Sequence, residues 1–237
     1  MIALSATLTT KNKELENMYN IMFPGECWID IVPDDKYTTV IPIAYEFTYA
    51  GNLKHEAPGG RGYSHVVFEL FIMKKPHLLR AYLKMILHYI EKEYLNVKKK
   101  GQKFAVYAAT VKMCTLITKA MNEDARFSKL DVRRYVADDP YENVIEPDGR
   151  VSTIMSSGTA IDIPGLISVF QTVNIASPQA NIQVMGRLRN IPGTETKFLY
   201  FWCTQIDKHK QYHFARKKTL AYKTKEFKHQ QYEYKLG

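Results

Sequence analysis

Residues 169–203 read VFQTVNIASPQANIQVMGRLRNIPGTETKFLYFWC. The stretch opens on a β-branched and aromatic run, Val169 to Ile175, and breaks at Ser177-Pro178. It continues as a segment expected to be helical over 178–189, then returns to an aromatic-rich run from Lys197 to Cys203. Ser177 can cap a helix, and Pro178 costs nothing at a first helical position, where no amide is needed. Strand, helix, strand at this rhythm predicts an α/β fold, a parallel sheet covered by helices on both faces.

Working outward, β-branched and aromatic content predicts strands over Ile41 to Tyr49, Tyr63 to Met73, Phe104 to Ala109, Val132 to Val136 and Val151 to Met155. A helix is expected from Lys11 to Phe23, where Leu15, Met18, Tyr19 and Met22 recur at helical spacing. Another opens at Pro76, with Leu79, Leu83, Ile86, Ile90 and Tyr94 on one face. Thr110 can cap a third over Val111 to Asn122, and a fourth runs from Ile206 to Tyr222 before a closing strand near Gln231. Asp138 to Asp148 reads as an acidic loop, and Pro33, Asp34 and Asp35 mark a linker. The glycines of 57–62 read as a plain connection, since no helix start follows to supply amides to a phosphate.

At 237 residues the chain can bury one full core with a short appendage. No apolar run approaches the ~18 residues of a membrane span, and the N-terminus lacks the basic start and long apolar run of a secretion signal. Cys27, Cys114 and Cys203 are odd in number and far apart, which predicts reduced thiols, a cytoplasmic location and no membrane partner. A net charge of +9 draws the molecule to polyanions by counterion release. From Asp207 to Gly237 nine Lys or Arg face three acids, so the excess concentrates there.

Gln183-Val184-Met185-Gly186-Arg187-Leu188-Arg189 follows Thr153 and Gly158-Thr159-Ala160-Ile161-Asp162, which follow Phe104 to Thr110, with Leu4-Ser5-Ala6-Thr7 near the start. In that order these segments resemble the third to sixth motifs of superfamily-two helicases. The likeness is to the C-terminal RecA-like half of phage UvsW-type DNA helicases. It implies that residues 1–35 end a first RecA-like domain and linker, and that 36–237 form the second. Ser5 and Thr7 would couple ATP chemistry to nucleic-acid grip, and Thr110, Thr153 and Thr159 would hold the nucleic-acid backbone. Gly158, Asp162 and Gly186 would border ATP, while Gln183, Arg187 and Arg189 would serve catalysis, Arg187 as the arginine finger. Such fingers are worth on the order of 10³ to 10⁵ in rate.

The resemblance further implies ATP and Mg²⁺ bound jointly with an N-terminal RecA-like domain or subunit, DNA or RNA as partner, work in DNA recombination and repair, and the host cytoplasm if phage-encoded. Ala160 stands where the family usually has glycine, and Asn190 where many relatives carry the second arginine. No Gly-rich Lys-Ser/Thr phosphate loop and no Asp-Glu-x-His/Asp box occurs in the sequence, so no ATP turnover by this polypeptide alone is expected.

Plainer readings stand beside these. Thr110 also fits a simple helix cap, 158–165 a connecting loop, Arg187 a solvated arginine, and the whole chain a non-catalytic nucleic-acid-binding module. His209 and His213, at i and i+4 without a third ligand, read as ordinary surface residues, and no metal site is expected. Phe214, Tyr222, Phe227 and Tyr232, interleaved with Arg216, Lys217, Lys218, Lys223, Lys225 and Lys228, read first as packed aromatics with solvated lysines and second as a phosphate-steering surface.

Overall fold

The computed structural model describes residues 13–22, 24, 36–59, 62–154, 156, 162–221, 224–228 and 234–236. Ser5, Thr7, Gly158 and Thr159 lie outside the described residues, as do the linker residues Pro33, Asp34 and Asp35 and residue 231. The chain divides into two compact units, 1–36 and 37–237. In the first, α1 spans Lys13–Met22.

The second unit is organised on one sheet. Its strands are β1 (Thr38–Phe47), β2 (Lys103–Ala108), β3 (Val132–Tyr135), β4 (Gly149–Thr153), β5 (Leu166–Gln171), β6 (Thr196–Cys203), β7 (Glu226–Phe227) and β8 (Tyr234–Leu236). They lie in the order β3-β4-β2-β5-β6-β1-β7, with β8 also on β1, and every pair is parallel. A sheet covered on both faces needs apolar residues at successive positions, and β6 is buried everywhere but Trp202. The outer side of β1 is met by two short strands, β7 at Thr39 and Val40 and β8 from Tyr45 to Phe47. Pro42, which has no amide to donate, falls in the gap between them.

One face is covered by α2 (His65–Met73), α3 (Pro76–Ile90) and α4 (Val111–Glu123), the other by α5 (Glu142–Ile145), α6 (Pro178–Met185) and α7 (Asp207–Leu220). Residues 65–73 are therefore helical, against the strand expected from Tyr63 to Met73. Ser64 caps α2 by accepting the Val67 amide, and buried His65, Phe68, Glu69 and Ile72 fall at i, i+3, i+4 and i+7. Burial at that period overrides the strand preference of individual residues. The apolar face of α3 is also rotated from expectation: Leu78, Tyr82, Met85, Ile86, Tyr89 and Ile90 are buried, and Leu79 and Leu83 only partly. That helix runs on as a π-helical turn, Glu91–Leu95. Inside the acidic stretch 138–148, expected as a loop, α5 forms one helical turn.

Two glycines allow close packing beside the sheet. A Cβ on Gly149 would lie 2.1 Å from the Phe104 ring, and one on Gly165, at φ +82°, would lie 2.3 Å from the Gly101 carbonyl oxygen. Both sit at strand starts that the site depends on.

Candidate functional site

Of Gln183, Gly186, Arg187 and Arg189, Gln183 alone lies within α6, and the other three follow its end. Ser177 Oγ accepts the Ala180 amide and Pro178 opens the helix as expected, but the helix stops at Met185, short of Arg189. Tertiary partners end it: Leu188 is buried in the core of that face, and the Arg189 amide donates to Leu166 O at 2.9 Å. Gly186 caps the helix with ordinary right-handed backbone, its amide donating to Ile182 O at 2.7 Å. Gln183, on the helix, is exposed, whereas Arg187 is buried, so the two do not share one side.

Arg189 and Asp162 do converge. The guanidinium donates from Nε and Nη2 to Asp162 Oδ1 at 2.7 and 2.5 Å, joining residues 27 apart in sequence at the start of β5. The pair is exposed and is worth at most about 1 kcal/mol to stability.

Arg187 turns the other way, into the sheet face. Its Nη1 donates to Tyr107 Oη at 2.9 Å, and Arg150 Nη2 donates to the same oxygen at 2.7 Å. Both guanidinium carbons lie under 6 Å from the Tyr107 ring centre, at 5.6 and 5.9 Å. Tyr107 is wholly buried, and burial alone would push its phenol up; the two cations, Arg150 and Arg187, outweigh burial and hold it below its ordinary value. Burial in turn lowers the Arg150 guanidinium, whose Nε and Nη1 have no hydrogen-bond partner among the described residues. Two buried cations thus share one phenol.

Where β2 and β4 finish, Thr110 and Thr153 have protein partners. Thr110 Oγ1 accepts the Met113 amide at 3.1 Å and so caps α4 as expected. The same hydroxyl donates to Glu69 Oε2 at 2.8 Å, and the amides of Ala109 and Thr110 donate to that carboxylate at 2.8 and 2.9 Å. A side-chain carboxylate occupies the anion position at this helix start. Burial pushes Glu69 up to about 7, with the three donors pulling the other way. Thr153 Oγ1 donates to Ser156 Oγ at 2.7 Å and accepts the Ser156 amide.

His209 is fully buried, against the surface position expected for it. Its Nδ1 accepts the Cys203 amide at 2.9 Å, and its Nε2 pairs with Tyr63 Oη, which also meets His65 Nδ1 at 2.5 Å. Burial holds His65 at about 3 and His209 at about 2. His213 instead meets Tyr200 Oη at 2.8 Å and stacks on Trp202. Among the described residues no group of His, Cys, Asp and Glu could hold a metal ion, and no helix is long and apolar enough to cross a membrane. Cys114 and Cys203 are free thiols, and burial pushes each up to about 12.

Sequence reasoning missed Tyr107, Arg150 and Glu69. The available signals were an arginine inside the apolar start of β4 and a lone acid inside HVVFELFIM.

No protein-family model and no curated protein matches the chain. Among solved structures it is similar to S. cerevisiae Dbp5 bound to Gle1 and IP6, with a TM-score of 0.53 and 10% identity over 93% of this chain and 49% of that one. It is similar also to Mss116p DEAD-box helicase domain 2 bound to an RNA duplex, at TM-score 0.49 and 16% identity over 83% and 65% of the two chains. A third, Mycobacterium smegmatis helicase Lhr bound to ssDNA and AMP-PNP, aligns at TM-score 0.43 and 14% identity over 80% and 22%. The chain spans about half the length of the Dbp5 structure. Its fold is RecA-like, an all-parallel sheet with helices on both faces.

Proposed function

We propose that the chain is the C-terminal motor domain of an ATP-dependent superfamily-two helicase or translocase, of the UvsW type and acting on DNA. The observation that carries this reading is the meeting of the fifth and sixth motifs at Asp162 and Arg189 on a RecA-like sheet, two residues from Arg187. ATP would lie between this domain and an N-terminal RecA-like domain, on a longer chain or a separate polypeptide. That companion must supply the phosphate loop and the Mg²⁺-binding acids, since this sequence has no phosphate loop and its described residues no metal-ligand cluster.

In this reading Asp162 steers Arg189 at the rim, and Arg187 exchanges the Tyr107 phenol for the γ-phosphate when the domains close. The exchange is favoured from within, because Arg150 repels Arg187 across the shared phenol. At the γ-phosphate the guanidinium stabilises charge that grows in the transition state. Closure and reopening would shift the grips of the two domains along a strand.

The test is complementation. The purified chain alone shows no nucleic-acid-stimulated ATP turnover, and adding its phosphate-loop companion restores it. Strong turnover by the chain alone would contradict the reading. Stimulation by oligo-dT but not oligo-rU supports DNA, and the reverse result replaces it with RNA. The rival, a non-catalytic nucleic-acid-binding module, is favoured by the burial of Arg187 against Tyr107; it predicts salt-sensitive binding and no turnover with any companion.

A further inference from the structure

Thr110 gives its hydroxyl and its amide to Glu69, so the fourth-motif position offers a nucleic-acid backbone less than its sequence promises. Grip on a strand needs another surface. We infer that the outer face of α7 is a stacking platform for a single-stranded polynucleotide, centred on Phe214. This inference rests on the nucleic-acid side of the proposed function and is independent of Arg187.

Phe214 is 66% exposed, the highest value among the large apolar side chains described from 37 onward. An isolated exposed phenylalanine is unremarkable, but this one is braced. Its ring stands edge-on to His213 at 5.3 Å, and His213 lies flat on Trp202 at 4.5 Å with 15° between the planes. His213 also meets Tyr200 Oη at 2.8 Å, and the buried Arg216 guanidinium sits 4.2 Å over the centre of the Tyr200 ring. A column of rings held from beneath presents Phe214 with little rotamer freedom to lose on binding.

The charges around it fit phosphates. Lys210, Lys217 and Lys218 stand at i−4, i+3 and i+4 from Phe214, on the same side of the helix. Asp207 is the only acid on α7, and it pairs with Lys210 at 3.7 Å. The helix leaves the finishing end of β6, the same end of the sheet as Thr153 and Thr110. The order β4-β2-β5-β6 places β6, from whose finishing end α7 departs, three strand spacings, ~15 Å, from β4. A strand crossing the ends of β4 and β2 would reach Phe214 by passing the start of α7 and turning along its outer side.

The chemistry selects the single strand. Its unpaired bases offer faces to an aromatic ring while lysines a turn away neutralise phosphates. A duplex keeps its base faces stacked, and an acidic peptide would engage the lysines and leave Phe214 in water.

The experiment is fluorescence anisotropy of labelled oligo-dT and oligo-rU with the full chain across a salt series. Phe214→Ala is expected to weaken single-strand binding roughly 5- to 100-fold, with Phe214→Trp restoring it. Lys218→Ala is expected to lower the salt slope by roughly 0.7. Because Phe214 is exposed, the melting temperature of Phe214→Ala should match the parent, which separates lost contact from lost fold. The inference is overturned if the parent binds and Phe214→Ala binds within about twofold of it, or if polyglutamate binding falls equally on Phe214→Ala. It is also overturned if the parent binds no single strand; the finger reading is judged separately, by turnover with the companion domain.

Discussion

Under α2, α3 and α4 the sheet buries rings and aliphatics: Phe104 lies 4.5 Å from Tyr94 and 6.2 Å from Phe170, with Val106, Ile117, Met121 and Val151 in the same core. Under α6 and α7 the same sheet buries three arginines, Arg150, Arg187 and Arg216, whose described partners are phenols, aromatic rings and an amide rather than carboxylates. The first face is cheap to bury and supplies stability in proportion to area. The second is costly, since a buried cation without a counter-charge loses hydration that a phenol only partly replaces. Arg150 Nε and Nη1 and both Arg216 Nη atoms have no hydrogen-bond partner among the described residues, whereas the unpartnered atoms of the first face include the neutral Tyr45 and Tyr82 hydroxyls and His65 Nε2.

The largest effect should come from the apolar face. Phe104→Ala removes a ring that is 1% exposed and is expected to cost about 3–5 kcal/mol in urea unfolding, with no single-site rescue. On the arginine face the loss should be recoverable. Tyr107→Phe strips two buried guanidiniums of a shared acceptor and is expected to cost about 3 kcal/mol. Adding Arg150→Met should return most of it, because one uncompensated cation is gone. If the double variant were as unstable as the single one, the contrast between the faces would fail.

A third effect concerns pH. Burial raises Glu69 from its ordinary 4.5 to about 7, so its contribution to stability is full below about pH 4.5 and is lost as pH rises through about 7. His65, 3.7 Å away, and His209 work in the opposite sense. Burial lowers them to about 3 and about 2, so their contribution is full above about pH 6.5 and is lost on acidification. The difference between parent and Glu69→Gln isolates the carboxyl: the variant should gain on the parent by on the order of 3 kcal/mol between pH 4.5 and 7.5. A difference that stays flat with pH would remove Glu69 as a buried, titrating group. The smallest effect is at the rim, where Arg189→Ala should change stability by less than about 1 kcal/mol, because its pair with Asp162 is exposed.

Much of this was legible in the chain. Continuous apolar runs gave away parallel strands, Ser177-Pro178 marked the start of α6, and Thr110 marked the cap of α4. The failures have physical causes. The composition of 63–73 favours a strand, and only packing against β1 and α3 selects the helical period. The helix through Gly186 ends early because Leu188 and the Arg189 amide find tertiary partners that a sequence does not display. Burial of His209 is hidden because α7 is otherwise polar, and its buried positions are His209, Arg216 and Leu220. Convergence of Arg150 and Arg187 on Tyr107 joins residues 43 and 80 positions apart from it, beyond the reach of any local pattern.

In the proposed function Arg187 moves from Tyr107 to stabilise phosphoryl transfer. Single-turnover ATP hydrolysis, with the phosphate-loop companion and saturating single-stranded DNA, tests it most directly on the parent and on Arg187→Ala. The variant's rate is expected to be lower by roughly 10³ to 10⁵, with nucleotide affinity little changed. Equal rates in the two proteins would contradict it.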